Sequence, residues 1–353
     1  MGASSSRDTG ARAGRASRLA SCLADVLRCF GLHRAPARAS LTRRHWNASH
    51  AGVAGGASLP VLALVAALPT SLGFVRKAWA FGFGYALSVG LGGTVLALCA
   101  PAPLPSATAL SLLGAATHGL RLAGYLFVRE KHARMPADYV ARIAEMEAGV
   151  TSRLGRLKRL PLVASCAGMY TLIMSPLAFA ARHPPAEEAG MALPWAGVAL
   201  QWAGLVTAAV ADWQKHAHKQ NYSPDIWCNT GLYRCAAAAS ASMYALLSDA
   251  HAACSYSRHP NYAGELLFWS GVYIAGAKSY RNAAEWATAS LGLAAIVATM
   301  LGATARLEAK EAARYAGHEQ RGSYVAATGA LAPRIKGVRL PRRFRKWRRG
   351  GEA

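Results

Sequence analysis

Acidic side chains are scarce in this chain. Its 353 residues hold 17 Asp and Glu against 40 Lys and Arg, a formal net charge of +23, and charged residues of all kinds make up only 16%. About a quarter is usual for soluble globular proteins. The shortage is uneven: no charged residue lies between Ala51 and Val75, Ala78 and Thr117, Leu160 and Ala181, or Ala189 and Ala211. Roughly 20 predominantly apolar residues cross a bilayer as a helix. Each gap therefore holds one crossing, and the second holds two, broken by "PAPLP" at 101–105. Shorter runs at Leu266–Ala277 and Ala287–Ala305, joined by "KSYRNAAE", form a further hairpin. So many uncharged runs of this length argue against a soluble protein with buried core helices. The expected fold is all-α, a polytopic membrane helical bundle of six to seven spans over 51–305.

Other signatures are missing as well. There is no Gly-rich phosphate loop, no G-x-S-x-G elbow and no H-E-x-x-H, so the chemistries that depend on those motifs find no support. The seven cysteines are scattered. Cys99, Cys166 and Cys228 lie in or beside apolar runs and read as small buried hydrophobes. His251, Cys254 and His259 lack metal-ligand spacing and a fourth partner, and no metal site is expected.

What charge there is gathers in three regions: 128–159, 212–234, and from Arg306 to the tail. Seven spans place all three on one side, which the positive-inside rule assigns to the cytosol, stroma or matrix. Basic residues bordering spans attract anionic lipid headgroups, and no nucleic-acid partner is implied. Residues 1–50 contain nine Arg, two Asp, and no Lys or Glu. Such an Arg- and Ser-rich leader fits an organellar transit peptide. "MGASSS" also fits a myristoylation signal, and residence in the endoplasmic reticulum is the alternative to a plastid or mitochondrial membrane. Asn47-Ala48-Ser49 separates the two, since a sequon is glycosylated only if it reaches the reticulum lumen.

Four polar stretches interrupt or border the apolar runs: "HGLRLAGYLFVRE" (118–130), "ADWQKHAHK" (211–219), "GLYR…YSRHPNYAGE" (231–265) and "RLEAKEAARYAGHEQRGSYVAATGALAP" (306–333). Arg121 falls inside an expected span, where a charge normally faces the bundle interior or a wet cavity. Lys215, Lys219, Arg234 and Arg258 gather positive charge at the membrane surface, suited to phosphate groups. Pro260 stops a helix from continuing backwards, which leaves Arg258 and His259 extended. Asn261, Tyr262 and Glu265 then occupy the first turns of a helix whose free N–H groups suit an anion. A plain interfacial cap, with Arg and Tyr snorkelling, uses the same residue types.

These stretches resemble the steroid 5α-reductase C-terminal-domain superfamily over roughly residues 60–333. The resemblance is closest to a largely uncharacterised branch in which ADxQK precedes GLYR and RHPNYxGE. It implies a helical bundle with a cofactor pocket at its basic face, and NADPH-dependent reduction of a C=C bond in a lipid. It assigns Lys215, Lys219, Arg234, Arg258, His259, Asn261 and Tyr324 to the cofactor, and Tyr262 or Glu265 to the proton that completes hydride addition. Residues 306–333 are expected to close over the pocket, with Glu308 or Glu311 near the basic cluster. Isoprenylcysteine methyltransferases carry a related motif, so S-adenosylmethionine is the alternative cofactor. A non-enzymatic membrane protein on the same scaffold is a third class. The substrate lipid is not specified by any of these residues.

Joining Arg234 to Tyr256 restores "GLYRYSRHPNY", so residues 235–255 read as an insertion or a retained-intron artefact on the basic side. The tail, 334–353, carries nine Lys or Arg and is expected to lie on anionic lipid without fixed structure.

Overall fold

The computed structural model describes residues 58–100, 104–132, 141, 144, 153–184, 190, 192–222, 226–228, 231–233 and 257–332. The leader with its sequon, Arg234, the 235–255 insertion and the 334–353 tail lie outside the described residues. All regular structure among the described residues is helical. In chain order the helices are α1 (Leu59–Thr70, prolonged by a 3-10 turn Ser71–Phe74), α2 (Lys77–Phe81), α3 (Phe83–Cys99), α4 (Ser106–His132) and α5 (Arg153–Leu157). They continue with α6 (Leu160–Arg182), α7 (Ala192–Asn221), α8 (Pro260–Gly276), α9 (Ala283–Arg314) and α10 (Glu319–Ala327).

The chain is a helical membrane bundle. Four stretches, Lys77–Cys99, Gly155–Arg182, Ala192–Asn221 and Ala283–Arg314, are long and apolar enough to cross a bilayer. The expected six to seven crossings therefore divide: four meet the requirement of length and apolarity, and α1, α4 and α8 complete the bundle beside them. Inside, Leu62, Leu96, Leu112, Met174, Phe268 and Trp269 pack into one core. Outside, Leu68, Leu98, Leu113, Val206 and Leu291 are exposed, a surface that suits hydrocarbon and not water.

Helix ends follow local sequence. α8 starts at Pro260, whose missing N–H is no loss in a first turn and whose ring fixes a helical φ. α9 starts with Asn282 accepting from the Glu285 N–H at 3.0 Å, while the Glu285 carboxylate accepts from the Arg281 N–H at 2.7 Å. The Asn282 side chain satisfies a first-turn donor that would otherwise be orphaned, and the Glu285 carboxylate holds the residue before the cap.

The antiparallel α7–α8 pair positions the site. Small residues line its seam: Gly197 and Gly204 on α7 face Gly264 and Gly271 on α8. A Cβ on Gly271 would sit 2.3 Å from the Gln201 backbone nitrogen, and one on Gly204 would sit 2.4 Å from that of Phe268. Only hydrogen fits there, and backbone-to-backbone packing is the usual device for joining helices in lipid. The seam brings the polar C-terminal turns of α7, from Asp212 to Lys219, beside the N-terminus of α8. After α9 the chain returns to that place. The Arg258 N–H donates to Gly329 O at 2.8 Å and the His259 N–H to Ala330 O at 3.1 Å.

Candidate functional site

A cleft opens where α7, α8, α9 and α10 meet. Its lining includes Lys215, His218 and Lys219 from α7, and Lys310, Glu311 and Arg314 from α9. Trp227, Cys228 and Tyr233 come from the segment after α7, Arg258 from the turn before α8, and Tyr315, Arg321 and Tyr324 from the closing segment. Its free interior is about 110 Å³ and opens to solvent. Six Lys and Arg side chains face one carboxylate, Glu311, which already accepts from Arg321 at 2.8 Å. The Lys215 ammonium lies 5.7 Å from the Tyr233 ring centre. The Arg321 guanidinium sits among three rings, 5.9 Å from Trp227, 5.3 Å from Tyr315 and 5.6 Å from Tyr324.

Among the described residues, Trp227 Nε1 and Arg321 Nε of this lining are buried without a hydrogen-bond partner. These side chains are at most 9% exposed. Buried polar groups in folded proteins are nearly always satisfied, so exceptions ask for an explanation. A ligand rich in acceptors supplies one.

The closing segment is the cleft's outer wall. Tyr324 Oη donates to Tyr233 O at 2.9 Å. Burial pushes both phenols above their ordinary pKa, so each stays a neutral hydroxyl. Tyr233 in turn donates to Ala211 O at 3.3 Å, tying the turn after α7 back to that helix. Of residues 306–333, α9 brings Glu311 and α10 brings Arg321 and Tyr324 to the lining, while Glu308 of α9 pairs with Arg258.

The residues expected to converge here separate into three groups. Lys215, Lys219, Arg258 and Tyr324 line the cleft together. His259 is fully buried beneath it, with Nε2 2.5 Å from Glu308 Oε1. Tyr262 is half-buried and stacks on His259 at 5.8 Å between ring centres, and Asn261 beside it is also half-buried. Glu265 belongs to a third, deeper cluster between α3, α4 and α8. Neither Asn261, Tyr262 nor Glu265 is part of the cleft lining. Arg258 stands before the first turn of α8, whereas Asn261, Tyr262 and Glu265 lie successively further along the helix.

Arg258 also differs from a free phosphate-binding cation. It gives Nε and Nη2 to the two oxygens of Glu308, at 3.0 and 2.5 Å, and Nη1 to the carbonyls of Val325, at 3.1 Å, and Thr328. Four of its five N–H groups are thereby engaged, since the guanidinium fork matches a carboxylate bidentately. His259, Glu308 and Glu311 bring potential ligand atoms within 4.8 Å of one another. Both carboxylates already carry an arginine, which makes the group a node of charge compensation.

The deeper cluster includes residues that the sequence reading did not single out. Tyr85 Oη donates to Glu265 Oε2 at 2.8 Å and accepts from Trp269 Nε1 at 2.6 Å. On the other side of the carboxylate, His118 Nε2 lies 3.0 Å from Glu265 Oε1, off the line of a straight hydrogen bond. Arg121 pairs with Asp212 at 2.6 Å, which places it facing the bundle interior as its position in an apolar run implied.

A family model described as a protein of unknown function, DUF1295, matches residues 71–237 and 251–328. The chain belongs to the DUF1295 family. That family falls within the steroid 5α-reductase-like group. The two matched segments span the bundle, the cleft and the closing segment of this DUF1295 member, and they flank residues 238–250. Comparison with curated proteins and with solved structures finds no match.

Proposed function

We propose that this DUF1295 protein is a membrane-embedded reductase that uses NADPH to saturate a carbon–carbon double bond in a lipid. The observation that carries the reading is the cleft itself: six cationic side chains line it, of which Arg258 is paired with Glu308 and Arg321 with Glu311, and among the described residues buried donors are left unpaired at its wall. NADPH brings a pyrophosphate and a 2′-phosphate, and clustered Lys and Arg bind such groups by charge-assisted hydrogen bonds. The fit is electrostatic and chemical: Lys215 and Lys219 would meet phosphate oxygens, and Trp227 and Tyr324 offer flat faces and a polar edge. Arg258, His259 and Glu308 would form the frame that holds the closing segment over the ligand. When bound, the cofactor supplies a hydride, and the protein's part is to orient it and to exclude water. The stretch RHPNYAGE at 258–265 supports the reading, and a lipid substrate suits a bundle with apolar side chains on its outside.

S-adenosylmethionine carries a sulfonium cation and no phosphate, so the same six cations repel part of it. Titration of the purified full-length protein with NADPH, NADH and S-adenosylmethionine, read as thermal stability, separates the readings. NADPH at a hundred times its dissociation constant should stabilise by roughly 2.7 kcal/mol. Stabilisation by S-adenosylmethionine alone would move the protein to the methyltransferases, and no response to any of them would leave the non-enzymatic class. An organellar membrane is proposed on the Arg-rich leader, and glycosylation of Asn47 in cells would overturn it.

A further inference from the structure

Cys228 is not the small buried hydrophobe that its place beside an apolar run suggested. It is half-buried and lines the cleft, whereas Cys99 in α3 and Cys166 in α6 are buried within the bundle. Its thiol is in no disulfide. A thiol reacts as its thiolate, and reactive cysteines sit where the surroundings are electropositive and partly open. Both conditions hold here. Lys215, Lys219, Lys310 and Arg314 share the cleft lining with one carboxylate, Glu311, and that carboxylate already accepts from Arg321.

A second observation, independent of the thiol, tells what kind of group this place accepts. Trp227, next to Cys228 in the chain, and Arg321 both line the cleft and are 9% and 8% exposed. Arg321 gives Nη2 to Glu311 at 2.8 Å, but its Nε and the Nε1 of Trp227 are buried donors with no partner among the described residues. Such donors ask for an acceptor. The guanidinium lies 5.9 Å from the Trp227 ring centre, which brings both donors within reach of one carboxylate, and a guanidinium binds that group by charge-assisted hydrogen bonds. The free interior of about 110 Å³ has room for a group of that size, and the open mouth leaves space for whatever carries it.

We propose that Cys228 is a thiolation site that takes the anionic half of a small peptide disulfide such as oxidised glutathione. The Cys228 thiol gives its proton to solvent, and the thiolate sulfur attacks one sulfur of the disulfide. The old S–S bond breaks as the new one forms, and the departing thiolate takes up a proton, so one disulfide is spent and one is made. Glutathione carries more carboxylates than ammonium groups. Lys215, Lys219 and Lys310 therefore draw it in, and Trp227 and Arg321 hold a carboxylate of the attached half. A cationic disulfide is repelled by the first set and offers nothing to the second. The attached peptide fills the mouth of the cleft, and a dithiol reductant clears it. The site stands without any cofactor, whereas exclusion of NADPH by the attached peptide rests on the reductase reading above.

The test uses the full-length protein, reduced and held in nanodiscs of zwitterionic lipid. It is exposed to oxidised glutathione, which is anionic, or to cystamine, which is cationic, and adducts are located by mass spectrometry of peptides. Each rate at Cys228 is divided by the rate of the same disulfide with a small uncharged thiol, N-acetylcysteine amide. After that correction glutathione should lead by at least about tenfold at low ionic strength, the lower end of steering into a charged cleft. The lead should shrink as salt rises and narrow in Lys215→Met, and Trp227→Phe should hasten release of the attached peptide by dithiothreitol. No adduct at Cys228, or equal corrected rates for the two disulfides, overturns the site. NADPH is titrated before and after thiolation. Weaker binding that dithiothreitol restores supports the exclusion, and unchanged affinity overturns it. A selective adduct on a protein that never binds NADPH keeps the thiolation site and sinks the reductase reading, whereas NADPH binding without a selective adduct does the reverse.

Discussion

At the scale of single residues, two cations on the same cleft have different work. Arg258 is 8% exposed at its side chain and engaged by Glu308 and two carbonyls, so its removal strands a partly buried carboxylate. Arg258→Ala should lower unfolding stability by about 3 kcal/mol, the lower end for breaking a buried ion pair, and should weaken NADPH and NADH alike. Lys215 touches only the face of Tyr233 among the contacts described, a contact worth about 0.5–1 kcal/mol at an exposed site. Lys215→Met should leave the melting temperature nearly unchanged while weakening NADPH roughly 10–100-fold, as loss of one charged hydrogen bond implies. Equal stability losses for both variants would show that the division is wrong. The sequence made Lys215 and Arg258 conspicuous because a charge beside an apolar run has few reasons to be there. It could not separate their roles, since the partner of Arg258 stands fifty residues away on α9. Tyr85 and Trp269 were invisible for the opposite reason: an aromatic ring within an apolar helix reads as core, and their hydroxyl and N–H acquire meaning only opposite Glu265.

At the scale of elements, the α7–α8 seam and the closing segment are separable by experiment. Gly271→Val pushes a branched side chain into the Gln201 backbone, where even a Cβ meets nitrogen at 2.3 Å. Overpacking of this kind costs about 1–3 kcal/mol, and the helices must part to accept it. We expect a lower melting temperature together with loss of NADPH binding, because the α7 lysines and the α8 N-terminus then lose their register. Ending the chain at Arg314 removes Tyr315, Arg321 and Tyr324 from the cleft and the carbonyls that Arg258 uses. The bundle core of Leu62, Met174, Phe268 and Trp269 is untouched by that cut. The truncated protein should therefore still insert and elute as a single species while binding NADPH at least about tenfold more weakly. Unchanged affinity would remove the closing segment from the site. The helices themselves were legible from uncharged runs and Pro punctuation. The seam was not, because a glycine in one sequence does not say which backbone it lets approach.

At the scale of the whole molecule, sidedness and continuity are the questions. Arg76 on the turn before α2 pairs at 2.7 Å with Glu130 near the end of α4, and Lys215, Lys219 and Arg258 meet on one cleft. Residues far apart in the chain are thus brought together. The family match spans that arrangement on both sides of residues 238–250 and omits the stretch between. Tyr233, the last described residue before the omission, is anchored by its own hydroxyl to Ala211 O and by its carbonyl to Tyr324. Ser257, the first after it, gives its hydroxyl to Ala330 O at 2.6 Å. Both flanks are therefore held by contacts that do not pass through the omitted residues. Lengthening a loop between fixed ends costs little, about 0.6 kcal/mol for each doubling, so shortening it should return about as little. Deleting 238–250 should leave unfolding stability within about 0.5 kcal/mol of the full chain's and NADPH affinity unchanged or higher. If that deletion abolished a binding signal present in the full chain, the stretch would contribute directly to the cleft, and the two flanks would not be sufficient to hold its walls.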